Sequence, residues 1–299
     1  MTTAESLPRI RFEAGSRVGI VAGGGRLPEA VASALQAQGQ RPFVVLMQGE
    51  ADAAGPLVQY EHGFLELEEF ASLVPLLKRN GVTHAVLAGE VRRRPRLSRM
   101  RMNFSLLTAL PRIARELALG DDGLLRAVLG YIERRGIKVV GAHEVVPELV
   151  ATRGCYTSTA PRESDWRDID KAREAAEAIG GLDIGQGAVS IGGRVVALEG
   201  IEATDGLLSR VKDLRGHGRL AGKTRGVLVK CAKPGQEARA DLPSIGPNTV
   251  DLAHAAGLAG IAVESGRSFV LDGPAMIERA NALGLFVLGL PEKGTSDGG

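Results

Sequence analysis

The sequence predicts an α/β protein: an N-terminal Rossmann-like parallel-sheet domain followed by a C-terminal mixed α/β domain. Three observations carry this prediction. Short apolar runs alternate with helix-periodic stretches from Arg17 to Val146, the rhythm of parallel sheets with right-handed crossovers. Periodicity disappears over 147–167, where Pro, Ser, Thr and Arg accumulate as in a linker. From Asp168 strands and helices alternate again, without a simple βαβ order. The expected division is an extension over 1–16, a first domain over 17–146, the linker, and a second domain over 168–299.

RVGIVAG from Arg17 reads as a buried strand, and Gly23-Gly24-Gly25 follows it. Pro28 suits the first turn of a helix that runs to Gly39, its exit. FVVLM is a second strand, Leu67–Asn80 a helix, and HAVLAG, ending at Gly89, a third strand. Asp121 or Asp122 can cap a helix to Arg135, whose Leu124, Leu125, Val128, Leu129 and Ile132 share a face, with Gly136 closing it. IKVVGAHEVVP is strand plus loop. In the second domain Asp168–Ile179 is an amphipathic helix, and AVSIGGRVVALEG is a hairpin turning at Gly192-Gly193. Thr204 caps a helix to Leu214, GVLVKCAKP is a strand, and Thr249–Ala256 a helix. GIAVESGRSFVLDG is a second hairpin candidate, before a helix from Pro274 and a last strand, LFVLGL.

Composition narrows the function classes. With 44% hydrophobic and 24% charged residues in 299, neither disorder nor a repeat array is indicated. A formal net charge of +2 does not make the whole chain a nucleic-acid magnet. Cys155 and Cys231 match no metal spacing and read as reduced thiols of a cytoplasmic protein. The opening MTTAESLPRIRFEAGSR has no apolar core of a signal peptide, and no window reaches the roughly 18 apolar residues of a membrane span. Any work on a membrane would be peripheral.

Several motifs have both a chemical and an ordinary reading. Gly23–Gly25 lies between a strand and a helix start, where bare amides bind anions, but it lacks the spacing of dinucleotide loops and can equally be a tight turn. Gly222-Lys223-Thr224 imitates the end of a P-loop, but Gly218 is one residue too close and a strand follows. Six arginines fall between Arg92 and Arg101, either a solvated face or a contact for anionic headgroups or a phosphorylated ligand. With three Tyr, one Trp and seven Phe, base stacking is poorly supported, so no nucleic-acid partner is expected. His143-Glu144 lacks the second histidine of a zincin and reads as structural. The densest polar set is in the second domain: Asp183, Gln186, Glu202, Thr204, Asp205, Lys230, Lys233, Gln236, Arg239 and Asp241. Cations beside carboxylates suit phosphoryl chemistry, and a loop of surface charges is the plain alternative.

AGGGRLP, GDDGLLR, GAHEV, DIGQGAV and KCAKPGQEARADLPSIG occur in this order between Arg17 and Leu290. Together they resemble the UDP-2,3-diacylglucosamine pyrophosphatases of the LpxI type; the last string is the most specific. That resemblance implies Mg²⁺-dependent hydrolysis of UDP-2,3-diacylglucosamine to UMP and 2,3-diacylglucosamine 1-phosphate (lipid X), a cytosolic step of lipid A synthesis with peripheral contact at the inner membrane. It implies two domains enclosing the substrate, with the C-terminal one catalytic and mediating a homodimer. Asp241 would be the catalytic and metal-holding carboxylate. Gly24, Gly25, Gly89, Asp121, Asp122, Gln186, Thr204, Asp205, Lys230 and Lys233 would contact substrate, and Leu106, Leu107, Leu124, Leu125 and Val128 are candidates for its acyl chains. Family members often carry Asn where Glu90 stands and Gly where Ala203 stands, and residues 1–16 have no counterpart. Two rivals stay open: a nucleotide-sugar binder of the same fold without hydrolysis, and a peripheral membrane or nucleic-acid protein organised by the arginine run.

Overall fold

Five-residue apolar runs too short for helices become buried strands once neighbours supply their hydrogen bonds. The computed structural model describes residues 9–93, 121–235 and 237–291, the side chains of Asp121, Asp122 and Leu124 excepted. These residues divide into two compact units. The first runs to Pro147 and also holds the short segment Glu237–Asp241; the second starts at Glu148 and holds the rest.

The first unit contains β1 (Val18–Ala22), α1 (Leu27–Ala37), β2 (Phe43–Met47), β3 (Glu61–Leu65), α2 (Leu73–Arg79), β4 (His84–Ala88), α3 (Asp121–Glu133), β5 (Lys138–Val139) and α4 (Ala142–Val145). All five strands are parallel, in the order β3-β2-β1-β4-β5. The Rossmann-like expectation therefore holds. Phe43, Val45, Met47 and Ala85 face Leu73, Val74 and Leu77 of α2 and Leu129 and Ile132 of α3. Val31, Ala32 and Leu35 are buried on α1, which packs on β1 and β4. Strand β3 is absent from the sequence reading. It is an edge strand with its first residues exposed or half-buried, so it carries no continuous apolar run. The predicted helix over Leu67–Asn80 is a 3₁₀ stretch, Leu67–Ser72, leading into α2.

The 1–16 stretch is not detached where it is described. The Ile10 N–H donates to the Glu144 carbonyl at 2.9 Å, and Phe12 meets His84 edge to face.

The second unit contains β6 (Gly154–Cys155), α5 (Glu163–Gly181), β7 (Gly187–Ile191), β8 (Arg194–Leu198), α6 (Ala203–Leu214), β9 (Val227–Lys230), β10 (Ser244–Ile245), α7 (Pro247–Ala255), β11 (Gly260–Glu264), β12 (Phe269–Val270), α8 (Gly273–Ala282) and β13 (Phe286–Leu290). Its main sheet has the order β6-β13-β11-β9-β7-β8. The centre, β9-β11-β13, is parallel and joined through α7 and α8, and β6, β7 and β8 add antiparallel edges. The sheet is thus mixed, as expected, but its centre does follow a βαβ order. Pleat alternation separates two cores. Val227 and Val229 pack with Ile169, Ala172 and Ala176 of α5, whereas Leu228, Ile261 and Val263 pack with α6, α7 and α8.

Two further expectations change. GIAVESGRSFVLDG is not a hairpin: β11 pairs with β9 and β13, and β12 pairs with β10 in a separate parallel pair. Every residue of β11 is buried, which marks a central parallel strand, and the Ser-Gly-Arg turn behind it imitates a hairpin signal. The stretch 147–167 is not simply a linker. Its Gly154-Cys155 forms strand β6 against β13, and α5 already begins at Glu163. The Gly192-Gly193 hairpin forms as predicted, with both φ positive, and the Asp168 carboxylate accepts both glycine N–H groups.

Candidate functional site

Strand direction decides which loops meet in the second unit. β7 is antiparallel to β9, so Gly187 lies opposite Lys230 at the carboxyl end of β9. β8 is antiparallel to β7, which brings Leu198 opposite Ala188. Gln186, Glu199 and Lys230 therefore emerge at one edge, where open α/β sheets bind ligands. The Cys231 N–H donates to the Gln186 carbonyl at 2.9 Å and ties the two loops together.

Lys230 is buried, and its Nζ donates to the Ser244 carbonyl at 3.1 Å. Lys233 Nζ meets Asp183 Oδ1 at 2.6 Å. Between these lysines and α6 lies Glu199, 6% exposed, whose N–H donates to the Gly187 carbonyl at 2.8 Å. The Thr204 side chain lies beside its carboxyl group. Burial pushes that carboxyl above its ordinary range, against the opposing pull of Lys230, Thr204 and Lys233. Its Oε2 and the Oε1 of Gln186 are both shielded and without a hydrogen-bond partner. The glycines flanking Gln186 follow from this packing: a Cβ on Gly185 would collide with the Glu199 carbonyl, and one on Gly187 with Glu199 Oε2. Asp205, exposed in the first turn of α6, accepts from Asn248 Nδ2 at 3.4 Å.

Two of the four non-glycine residues with positive φ among the described residues flank this cluster, Asp183 at 55° and Ala203 at 58°. Strain of this kind gathers at functional sites because the surrounding packing imposes it. Glycine adopts such a φ without the Cβ clash. Ala203→Gly should therefore raise stability by about 1 kcal/mol. A lower melting temperature would contradict that origin of the strain.

In the first unit, strand order reverses between β1 and β4, and the loops after these strands clasp one another. The Gly23 N–H donates to the Ala88 carbonyl at 2.9 Å and the Gly24 N–H to the Glu90 carbonyl at 2.8 Å, while the Glu90 N–H returns to Gly24 at 2.9 Å. A Cβ on Gly23 or Gly89 would strike the facing carbonyl, so close backbone approach accounts for both glycines. Two of the three loop amides are thus already paired, which leaves a poorer anion cradle than the glycine run promised. A concavity of about 120 Å³ beside the loop is lined by Gly23, Gly24, Gly25 and Leu57 and by the acids Glu29, Glu50 and Asp52. Carboxylates there repel phosphate and favour donor-bearing groups such as hydroxyls. Glu50 also accepts the Arg92 N–H at 2.8 Å, and Arg93 forks onto Glu68 at 2.8 and 3.2 Å. The first two arginines of the basic run are thus engaged with carboxylates.

Asp241 was expected with the second domain, but it falls in the first unit. The cause lies two residues upstream. Arg239 donates to Glu133 at 2.6 Å, at the end of α3, and to both oxygens of Glu237 at 2.8 and 2.9 Å. Ala240 packs against the first unit's core, and the Asp241 N–H donates to the Glu237 carbonyl at 3.1 Å. Hydrogen bonding to Arg239 holds the Glu237 carboxyl below its ordinary range. Asp241 itself is half-buried.

The structure thus gathers Gln186, Thr204, Lys230 and Lys233, with Asp205 on the adjacent turn. It places Gly24, Gly25 and Gly89 together in the other unit. Glu199 was missed, although alternation along β8 puts it in phase with buried Ala197, and an acid at an inward position is a readable signal. Leu106, Leu107, Arg94–Arg101, Gln236 and the side chains of Asp121, Asp122 and Leu124 lie outside the described residues. Of the other acyl-chain candidates, Val128 packs on the core and Leu125 is half-buried. Glu144 accepts the Gly141 N–H at 2.8 Å, in keeping with a structural role for His143-Glu144. Among the described residues no three His, Cys, Asp or Glu side chains group as metal ligands, and no helix is long and apolar enough to cross a membrane.

Two family descriptions match this chain: LpxI N-terminal domain over residues 17–149 and LpxI C-terminal domain over residues 152–288. The UDP-2,3-diacylglucosamine pyrophosphatase LpxI of Caulobacter vibrioides is 42% identical over 278 residues, 92% of this chain and 97% of that protein. A solved structure of isoflavone reductase overlays 93% of this chain and 79% of its own at 11% identity, with a TM-score of 0.27 too low to bear on the fold.

Proposed function

This chain belongs to the LpxI family, and we propose that it hydrolyses UDP-2,3-diacylglucosamine to UMP and lipid X in lipid A biosynthesis. The observation that carries this reading is the 42% identity to a pyrophosphatase of that name along 92% of the chain. The lysines of the second unit and the carboxylate Asp241 of the first are the residue types that such a reaction needs.

A pyrophosphate diester resists hydrolysis because its negative oxygens repel a nucleophile. Lys230 and Lys233, at the carboxyl edge of the second unit's sheet, offset that charge. Asp241 supplies a carboxylate that orients the attacking water and accepts its proton. Water bonds to the β-phosphorus, the bond from that phosphorus to the bridging oxygen breaks, and UMP departs with the oxygen. One carboxylate suits Mg²⁺, which is commonly held by one or two carboxylates together with substrate phosphates. Asp241 would hold it in that manner, and a bound Mg²⁺ neutralises phosphate charge and acidifies water. Exposed Leu182, Ile184 and Ile201, close in sequence to Asp183 and Glu202, offer apolar surface to acyl chains. The protein works as a homodimer in the cytoplasm, touching the inner membrane peripherally.

The purified chain with Mg²⁺ and UDP-2,3-diacylglucosamine should release UMP and lipid X in equal amounts. In ¹⁸O-water the label should enter lipid X. Absence of UMP release would overturn the hydrolase reading, and label in UMP would overturn attack at the β-phosphorus.

A further inference from the structure

Buried polar atoms are almost always paired, and each exception calls for a cause. Glu199 Oε2 and Gln186 Oε1 are two such exceptions at one sheet edge. Both are acceptor oxygens, so what they lack is a donor. The packing here is specific: glycines at 185 and 187 admit Glu199, and the Thr204 side chain lies beside it. Neighbouring ammonium groups do not fill the gap. Lys230 points to the Ser244 carbonyl, and Lys233 is within 2.6 Å of Asp183. A carboxyl left this way costs stability, and a protein retains such a cost where function needs it.

We propose that Glu199, with Gln186 beside it, is a ligand-contact residue that accepts hydrogen bonds from hydroxyl or amide N–H groups of the acylated amino sugar. The proposal rests on the hydrolase reading for the identity of that sugar. It divides the labour of the cluster: the lysines meet phosphate oxygens, which carry no donors, and the two oxygens meet the sugar, which does. An ionised carboxylate facing a phosphate would meet another acceptor, whereas the sugar's hydroxyl and amide groups supply donors.

The test compares wild type, Glu199→Gln and Glu199→Leu. Each is measured for KM and kcat with UDP-2,3-diacylglucosamine, for affinity to lipid X by calorimetry, and for thermal melting. Loss of a hydrogen bond between a charged and a polar group weakens binding by about 10- to 100-fold. KM for the substrate and Kd for lipid X should rise by about that factor in Glu199→Leu and less in Glu199→Gln, which keeps one acceptor. Melting temperature should stay level or rise, since a desolvated carboxyl has been removed. Unchanged KM and Kd would overturn the proposal, as would a fall in melting temperature that accounts for the lost activity. Should wild type release no UMP, the hydrolase reading fails separately. The lipid X titration then still decides: weaker binding by the variants supports ligand contact, and equal or absent binding by all three chains overturns it.

Discussion

Asp241→Ala should bind UDP-2,3-diacylglucosamine with near wild-type affinity and turn it over about 10³-fold more slowly, the usual worth of a positioned acid–base group. The expectation separates two roles that charge confers. Lys230 and Lys233 act on the ground state as well as the transition state, so they hold substrate even when chemistry is lost. The carboxylate acts on the attacking water, which substrate affinity does not register. Asp241 is half-buried at the end of a five-residue segment, so truncation leaves no large cavity and the fold should survive. Equilibrium binding of substrate to the variant, beside a single-turnover rate, is the decisive measurement. Hydrolysis at the wild-type rate would remove Asp241 from the mechanism.

Arg239→Ala should lower kcat by about 10- to 100-fold, with only about 1 kcal/mol lost from global stability. Arg239 and Glu133 are partly exposed, with side chains 32% and 38% accessible, so their pairing contributes little to the folding equilibrium. Its local work is larger. One charge-assisted hydrogen bond ties the residue two positions before Asp241 to the end of α3, and two more brace it against Glu237 within its own segment. Without them the Glu237–Asp241 segment loses its charged tie to α3 and relies more on the Ala240 packing and its turn hydrogen bonds. Hydrogen exchange at the Asp241 amide, which donates to Glu237, should accelerate in the variant while the sheet amides stay protected. Arg239→Lys should recover part of the rate, because an ammonium can meet one carboxylate but not form the fork. The network also has an acid limit. Glu237 has a lowered pKa, so its stabilising contribution is complete above its unfolded value near 4.5 and fades as pH falls through the folded value. A variant with wild-type kcat and unchanged exchange would show that the segment is held by other means.

Much of this was legible in the chain itself. Apolar runs such as RVGIVAG and FVVLM need no tertiary context to be read as buried strands, and a two-glycine turn between alternating residues states its own hairpin. The ordered motifs named the family, because a string such as KCAKPGQEARADLPSIG is too specific to arise from packing alone. EHGFL escaped because an edge strand is not buried on all sides and so lacks the apolar signature. The second hairpin candidate misled because turn chemistry is local, whereas the choice of strand partner is made by the whole sheet.

Sequence by itself determined most of the strands and helices, the family, and the inventory of lysines, acids and glycines available for chemistry. Only the tertiary structure decided three things: that Asp241 belongs with the first unit, that the glycines beside Gln186 make room for Glu199, and that the first loop's amides are already engaged. The physical reason is the same in each case. Hydrogen bonding and burial are properties of pairs of groups far apart in the chain, such as Arg239 with Glu133 or Gly24 with Glu90, and no window of sequence contains both partners.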